Sequence, residues 1–415
     1  MTGKQITTKC LLAGLCLAAL HSLHAQKPKT DAVPKVFLLD VGTLAEQKRL
    51  YATDPNSALA TALRDAADRA MKDGPFSVMD KQVVPPSGDK HDYMSMGTYW
   101  WPNPKTANGL PYIRRDGEHN PEIEKIPDHQ NLGRVGRDSR LLALAFYVTG
   151  NEAYAARAGL LVRTWFLDPA TRMNPNLNFG QGIPGITTGR GTGIIDSRGL
   201  TDVVDAVGLL AGSKNWKPED EKGMETWFAS YLAWLRQSPI GQDEAKAKNN
   251  HGTFYDVQVA DFALFTGQTS LAHDVIDQAK EKRLARQVMP DGSQPLEAER
   301  TRGLSYTLFN LEALMKLAEL GEHTSVDLWG FQTADGRSIR RALDYVIPFA
   351  SGDKKWEEQQ ITEFKPQEIV PLLLQAACKF HKPEYESAAR KLGAPGSDVN
   401  DLLLLAELHK LAVGN

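Results

Sequence analysis

LGRVGRDSRLLALAFYVTG, residues 132–150, places apolar side chains at three- and four-residue spacing and stops at a glycine. That spacing puts them on one face of a helix, and a glycine just past the last periodic residue is a helix stop. The same pattern recurs downstream in AYAARAGLLVRTWFLD (153–168), GLTDVVDAVGLLAG (199–212), METWFASYLAWLRQ (224–237), FYDVQVADFALFTG (254–267) and SLAHDVIDQAKEKRLARQV (270–288). It continues in LSYTLFNLEALMKLAEL (304–320), SIRRALDYVIPFA (338–350), FKPQEIVPLLLQAACKF (364–380) and VNDLLLLAELHKLA (399–412). Upstream, VFLLDVGTLAEQKRLYA (36–52) and LATALRDAADRAMKDG (59–74) also read as helices. No alternating strand runs stand out, so the expected class is all-α. A long series of helix pairs without a strict repeat predicts an α/α toroid, an incomplete barrel of helical hairpins, rather than a solenoid of identical units.

The chain has 415 residues, 42% hydrophobic and 24% charged, enough to build a substantial core. Its start reads as a signal peptide: Lys4 and Lys9 precede the apolar run LLAGLCLAAL, and cleavage is expected after Ala25. Leu15 before Cys16 argues against lipidation. Residues 26–415 then form a single domain, periplasmic or secreted, expected to be a monomer. Losing residues 1–25 removes two lysines and no acid, taking the net charge from −3 to −5. With no long basic run, nucleic acid is excluded as a natural partner, and no later apolar stretch is long enough to span a membrane. Cys378 stays as a single thiol without an internal bridge.

Three segments break the helical rhythm: 86–130, 168–199 and 286–303. Loops of that length in a folded domain usually carry function. In the first, Tyr99, Trp100 and Trp101 sit beside Lys105, Arg114 and Arg115, a mixture suited to a polymer of acidic sugars whose rings stack and whose carboxylates need cations. The second is glycine-rich; GRGTG lacks the Lys-Ser/Thr ending of a nucleotide loop, and Gln181, Arg190 and Arg198 are better placed to meet a sugar chain. The third sets Arg300 and Arg302 shortly before Tyr306. Cations are disfavoured at a helix N-terminus, so the pair implies a bound anion or a local acid such as Glu297 or Glu299. In AKAKNNHGTFYDVQ (245–258), Asn249, Asn250 and His251 stand in a row with Phe254 and Tyr255 behind. One Asn serves as a helix cap, but the second is redundant for that purpose. His91 and Asp92 are adjacent but no metal-binding spacing occurs, so neither metal nor cofactor is expected.

NNHGTFY, PLEAERTRGLSY and MNPNLNFGQGIPGITTGRGTGIIDSRG together resemble the alginate lyase superfamily with an α/α toroid fold, which contains polysaccharide lyase families five and thirty-eight. MSMGTYWWPNP and GLPYIRRDGEHNPE resemble the second of these in particular, across roughly residues 85–310. The resemblance implies β-elimination at a uronic acid, with Tyr306 and His251 moving protons while Asn250 or Asn249 and Arg300 hold the carboxylate. The alignment does not separate Arg300 from Arg302. Substrate contacts are expected from Asn249, Arg302, Tyr255, Gln181, Arg190, Arg198, Tyr99, Trp100, Trp101 and Arg114.

The chemistry asks for these residue types on its own account. A C5 proton beside a carboxylate is a very weak acid, and donors preorganised at the carboxylate must neutralise the developing enolate. Amides and an arginine do that. A tyrosine of ordinary pKa needs cationic neighbours to serve as base, which the arginines are expected to supply. In mannuronate and glucuronate the C5 hydrogen and O4 lie on one side, so Tyr306 serves as base and acid. In guluronate they lie on opposite faces, and His251 is then the base. The expected substrate is alginate, leaving a 4,5-unsaturated uronate, with glucuronan or another polyuronate as the alternative. Two other readings are an unsaturated-uronide hydrolase, which needs an acidic pair such as Asp196 with Asp202 or Asp205, and a non-catalytic glycan-binding protein.

Overall fold

The computed structural model describes residues 33–393. Contacts between Cα atoms divide the chain after Val33, and the unit described below begins at Pro34. The expected signal peptide and the segment 399–412 lie outside the described residues.

Among the described residues fifteen α-helices follow: α1 (Val41–Thr53), α2 (Ala58–Ala70), α3 (Asp128–Thr149), α4 (Glu152–Val162), α5 (Leu200–Leu210), α6 (Pro218–Gln237), α7 (Pro239–Ala245) and α8 (Asn250–Phe265). After these come α9 (Thr269–Ala279), α10 (Ala285–Gln287), α11 (Pro295–Ala298), α12 (Gly303–Glu322), α13 (Ile339–Ala350), α14 (Val370–Phe380) and α15 (Pro383–Leu392). The fold is all-α. Four short strands, β1 (Met94–Met96), β2 (Trp100–Trp101), β3 (Ile113–Arg114) and β4 (Phe179–Gly182), form two-stranded ribbons within the long loops, β1 parallel to β4 and β2 antiparallel to β3. Two to four residues are too few to show a clear alternating pattern, which is why they leave no sign in the sequence.

Helices α3, α5, α8 and α12 form an inner row in which each packs on the next, and α4, α6 and α9 pack outside them. Burial explains the division. Every residue of α8 except His251 is buried, and every residue of α5 except Asp202, so neither has a polar stripe to show to solvent. The outer α9 buries only Ala272, Ile276 and Ala279. Between α3 and α5 the backbones approach so closely that a Cβ on Gly136 would stand 2.7 Å from the Gly199 carbonyl oxygen.

At the start of the chain the structure departs from the sequence reading. Residues 36–40 are not helical: α1 begins at Val41, capped by the Asp40 carboxylate, which accepts a hydrogen bond from the Thr43 amide. Val36, Phe37 and Leu39 are buried as an irregular segment, with the Phe37 amide donating to Asp205 at 2.8 Å. Apolar content alone does not separate such a segment from a helix.

Inner helix α8 also carries an anomaly. Asp261 is buried, and neither of its carboxylate oxygens has a hydrogen-bond partner among the described residues. Burial, reinforced by Asp205 and Asp202, pushes its carboxyl well above the usual range.

Candidate active site

The three long loops converge over the ends of the inner helices and wall a groove of about 1150 Å³. Segment 86–130 supplies Tyr99, Trp100, Arg114 and His129; segment 168–199 supplies Gln181, Arg190, Asp196 and Arg198; α7, α8 and the α12 entry supply Glu244, Asn249, Asn250, His251, Arg300, Arg302 and Tyr306. The imidazole and the phenol therefore face one shared space, although they are separated by 55 positions in the chain.

Each proton-transfer candidate has a specific partner. The Tyr306 hydroxyl lies 2.6 Å from that of Tyr99. Burial, and then Tyr99, push the Tyr306 phenol well above the ordinary tyrosine value, while Arg300, stacked 4.2 Å from its ring centroid, pulls the other way. The cationic neighbour is present as expected, but it does not win, because an arginine offsets only part of the desolvation of a buried phenolate. The resting Tyr306 thus keeps its proton. His251 Nδ1 lies 2.6 Å from Oε1 of the buried Glu244. A carboxylate there holds the Nδ1 proton, which leaves Nε2 as an acceptor.

The amide pair is anchored differently from a helix cap. Asn249 occupies the N-cap position of α8, yet its side chain makes no capping bond. The cap comes from across the site: Glu297 of α11, buried and with its carboxyl raised by that burial, accepts from the Asn250 backbone amide and from Asn250 Nδ2, both at 2.6 Å. Asn250 is thereby fixed, while the Asn249 side chain has no hydrogen bond among the described residues and lines the groove. Gly252 follows because a Cβ there would collide with the Ala247 carbonyl oxygen and the Arg283 guanidinium.

Arg300 is tied to Asp116, with Nη2 donating at 2.8 Å and Nε at 3.1 Å. Burial opposes ionisation of Asp116, but Arg300, with Arg114 and Thr301, holds its carboxyl at about 2. The acid expected for the arginine pair is therefore neither Glu297, which holds Asn250, nor Glu299; it comes from a loop 184 residues away. Arg302 donates from Nε to Thr362 Oγ1 at 3.0 Å and also reaches the groove.

Opposite these groups, Gln181 sits in the left-handed region with φ of 47°, donating from Nε2 to Asp196 Oδ1 at 2.8 Å. Such a conformation in a non-glycine residue persists only where its surroundings fix it. Arg190 donates to Gln181 Oε1 at 2.8 Å and lies over Trp100 at 5.9 Å, and Arg198 lies over Phe309 at 5.4 Å. Burial opposes ionisation of Asp196, but His129, with Nδ1 at 3.4 Å, and bonds from Ser95 and Gln181 hold it at about 2. In return Asp196 raises His129. The glycines of this loop serve backbone packing: a Cβ on Gly193 would collide with the Gly180 backbone.

Residues 77–356 match the family model for alginate lyase. An alginate lyase from Bacteroides ovatus of solved structure is 41% identical, with 90% of this chain and 99% of that one covered and a TM-score of 0.85. This chain belongs to the alginate lyase family. It is accordingly a polysaccharide lyase. Alginate lyase A1-III from Sphingomonas species A1 shares the fold at 15% identity, covering 85% of this chain and 91% of its own, with a TM-score of 0.52. A variant of A1-III complexed with a tetrasaccharide superposes with a TM-score of 0.54 at the same 15% identity, covering 86% of this chain and 92% of its own. No curated protein sequence matches significantly.

Of the residues of this lyase expected to move protons, hold the carboxylate or contact substrate, the groove gathers all but two, and Lys105 and Arg115 of the first loop do not line it either. Tyr255 is buried and turned away, its hydroxyl donating to the Leu235 carbonyl at 3.0 Å. It lines a separate cavity instead. Trp101 points away because successive residues of β2 alternate in direction; its indole donates to the Glu118 carbonyl at 3.0 Å under Arg115. Sequence reasoning did not reach Glu244, Asp116 or His129, and named Glu297 and Asp196 for other tasks. Lone acids at unremarkable spacings carry no signal until the fold brings a partner to them. Among the described residues no group of His, Cys, Asp and Glu is placed to hold a metal ion.

Proposed function

We propose that this lyase cleaves alginate by β-elimination, with Tyr306 and His251 handling the protons and the amides and arginines gripping the uronate carboxylate. The observation that carries the reading is the pairing of both proton carriers with fixed partners in one groove: His251 Nδ1 on Glu244 and the Tyr306 hydroxyl on Tyr99, each at 2.6 Å.

Asn249, with its uncommitted amide, Asn250 and Arg300 line the groove beside His251 and supply donors for the carboxylate whose charge grows as the C5 proton leaves. Asp116 keeps the Arg300 guanidinium in place, and Glu297 does the same for Asn250. On guluronate, His251 Nε2 takes the C5 proton. The C5 electron pair forms the C4–C5 double bond, the C4–O4 bond breaks, and the resting, protonated Tyr306 gives its proton to O4. On mannuronate or glucuronate one oxygen must do both tasks from one face, so Tyr306 has to lose its proton first, past Tyr99. The resting protonation therefore favours the opposite-face route.

Residues 1–25, with their charged start and apolar run, support export to the periplasm or beyond. Among the described residues no helix is long and apolar enough to cross a membrane. The test of the reading is incubation with polymannuronate, polyguluronate and glucuronan while following the absorbance of the C4–C5 double bond next to the carboxylate. Chain shortening without that absorbance would mean hydrolysis, and binding without either would mean a glycan-binding protein.

A further inference from the structure

A second cavity, of about 650 Å³, lies on the other side of residues 245–248 from the catalytic groove, and Ala247 lines both. Six of the eleven residues around it are cations: Arg236 from α6, Lys246 and Lys248 from the α7–α8 connection, and Lys282, Arg283 and Arg286 from the segment after α9. None is acidic. In a chain of formal net charge −3 this is a local inversion of sign.

Two of these charges have a structural task. Arg283 is buried, donating to Asp256 at 2.7 Å and to the Ala245 and Ala247 carbonyls, so it fastens the partition between the cavities to α8. Lys282 shares Asp256 at 3.6 Å. The side chains of Arg236, Lys246, Lys248 and Arg286 have no hydrogen bond or ion pair among the described residues, and all four are exposed. Like charges brought together without a counter-charge repel one another, so this arrangement contributes nothing to the fold. It is favourable once an anion enters. The rest of the lining is Gln242 with Ala245, Ala247, Leu296 and Tyr255. Cations mixed with apolar and aromatic side chains suit the alternating carboxylates and ring faces of a uronate chain, and the volume is in the range of a built ligand site.

We propose that this cavity is a second binding site for acidic polysaccharide, which holds a stretch of the same polymer outside the groove. The proposal rests on the polyuronate reading of the groove. A chain passing over Ala247 occupies both sites at once, and the second contact then forms at high effective concentration. The cavity thus retains long chains between cleavages while short oligomers, which fill the groove alone, are indifferent to it. Because the cations are exposed, the gain fades with added salt.

The test uses the full protein carrying Tyr306→Phe, so that the probe is not consumed, with and without Arg236→Glu, Lys246→Glu and Arg286→Glu. Binding is read by fluorescence anisotropy of a labelled long polymannuronate and of a labelled mannuronate trisaccharide. The charge reversals are expected to weaken the long probe by about tenfold or more, within the range of a linked second contact, and to leave the trisaccharide unchanged. Equal long-probe affinity in the two proteins overturns the proposal, as does an equal loss for both probes, which would place the effect in the groove or the fold. Polymer cleavage is measured separately on the protein with Tyr306 intact. Absent cleavage of polymannuronate alongside the expected anisotropy change removes the proposed substrate of the groove and keeps the site; cleavage with unchanged anisotropy does the reverse.

Discussion

The hydroxyl of Tyr99, from a loop that precedes the inner helices, sits 2.6 Å from the hydroxyl of Tyr306 in the first turns of α12. One hydroxyl donates to the other, and burial keeps the Tyr306 proton from leaving. Replacing Tyr306 with Phe should lower kcat at least about a hundredfold, the lower bound for a positioned acid or base, with the melting curve unchanged. Near-normal formation of unsaturated product in that variant would remove tyrosine from the mechanism.

Glu244→Gln removes the charge that fixes the His251 tautomer and leaves the shape intact. Turnover of polyguluronate should fall by roughly a hundredfold, at the low end for a positioned base. Polymannuronate turnover, assigned to Tyr306 in the proposed mechanism, should fall less. An equal loss on both polymers would mean that Glu244 supports the site as a whole.

The raised Tyr306 phenol gives a pH signature. A group with a raised pKa holds its proton further into the alkaline range, so a route that needs phenolate gains rate as pH rises toward that value. A route that needs the protonated phenol does not. The ratio of polymannuronate to polyguluronate turnover should therefore climb with pH above neutrality, measured as initial absorbance rates on the two block polymers. A flat ratio would contradict the division of labour.

Trp100 lines the groove under Arg190, whereas Trp101 faces away from it. Trp100→Ala should raise KM for polymer about tenfold, in line with the loss of one stacked ring of about 1–1.5 kcal/mol, and change kcat little. Trp101→Ala should leave KM close to the parent value. Steady-state kinetics on one polymer distinguishes the two.

Asp261 supplies a test of stability. Its carboxyl is raised in the folded protein, so the folded state holds a proton that the unfolded chain releases once pH passes the ordinary aspartate value. Stability is whole below that value and is lost as pH rises from there toward the folded pKa. Asp261→Asn should accordingly raise the melting temperature at pH 7 by roughly 2 °C or more, and the advantage should vanish near pH 4. Thermal melts of both proteins at the two pH values read it directly.

Much of this molecule was legible along the chain, because helix periodicity and helix stops depend on neighbours three or four residues apart. The stretch 132–150 yields α3 for that reason, and 254–267 yields most of α8. The irregular entry at 36–40 failed the same test because apolar residues that pack as a bare segment look like those of a helix. The long loops could be marked as functional, since Tyr99, Trp100 and Arg190 have no place in a helix stripe, but Trp101 could not be told from Trp100 before the β2–β3 pairing set its direction.

The sequence by itself determined the all-α class and the residue types gathered at the groove: amides, imidazole, phenol and arginines. Tertiary structure alone decided their states. Glu244 meets His251 through α7, Asp116 reaches Arg300 across 184 positions, Glu297 takes the cap that Asn249 leaves unused, and burial outweighs Arg300 at the Tyr306 phenol. Charge and desolvation act through space over a few ångströms, and distance along the chain carries no record of them.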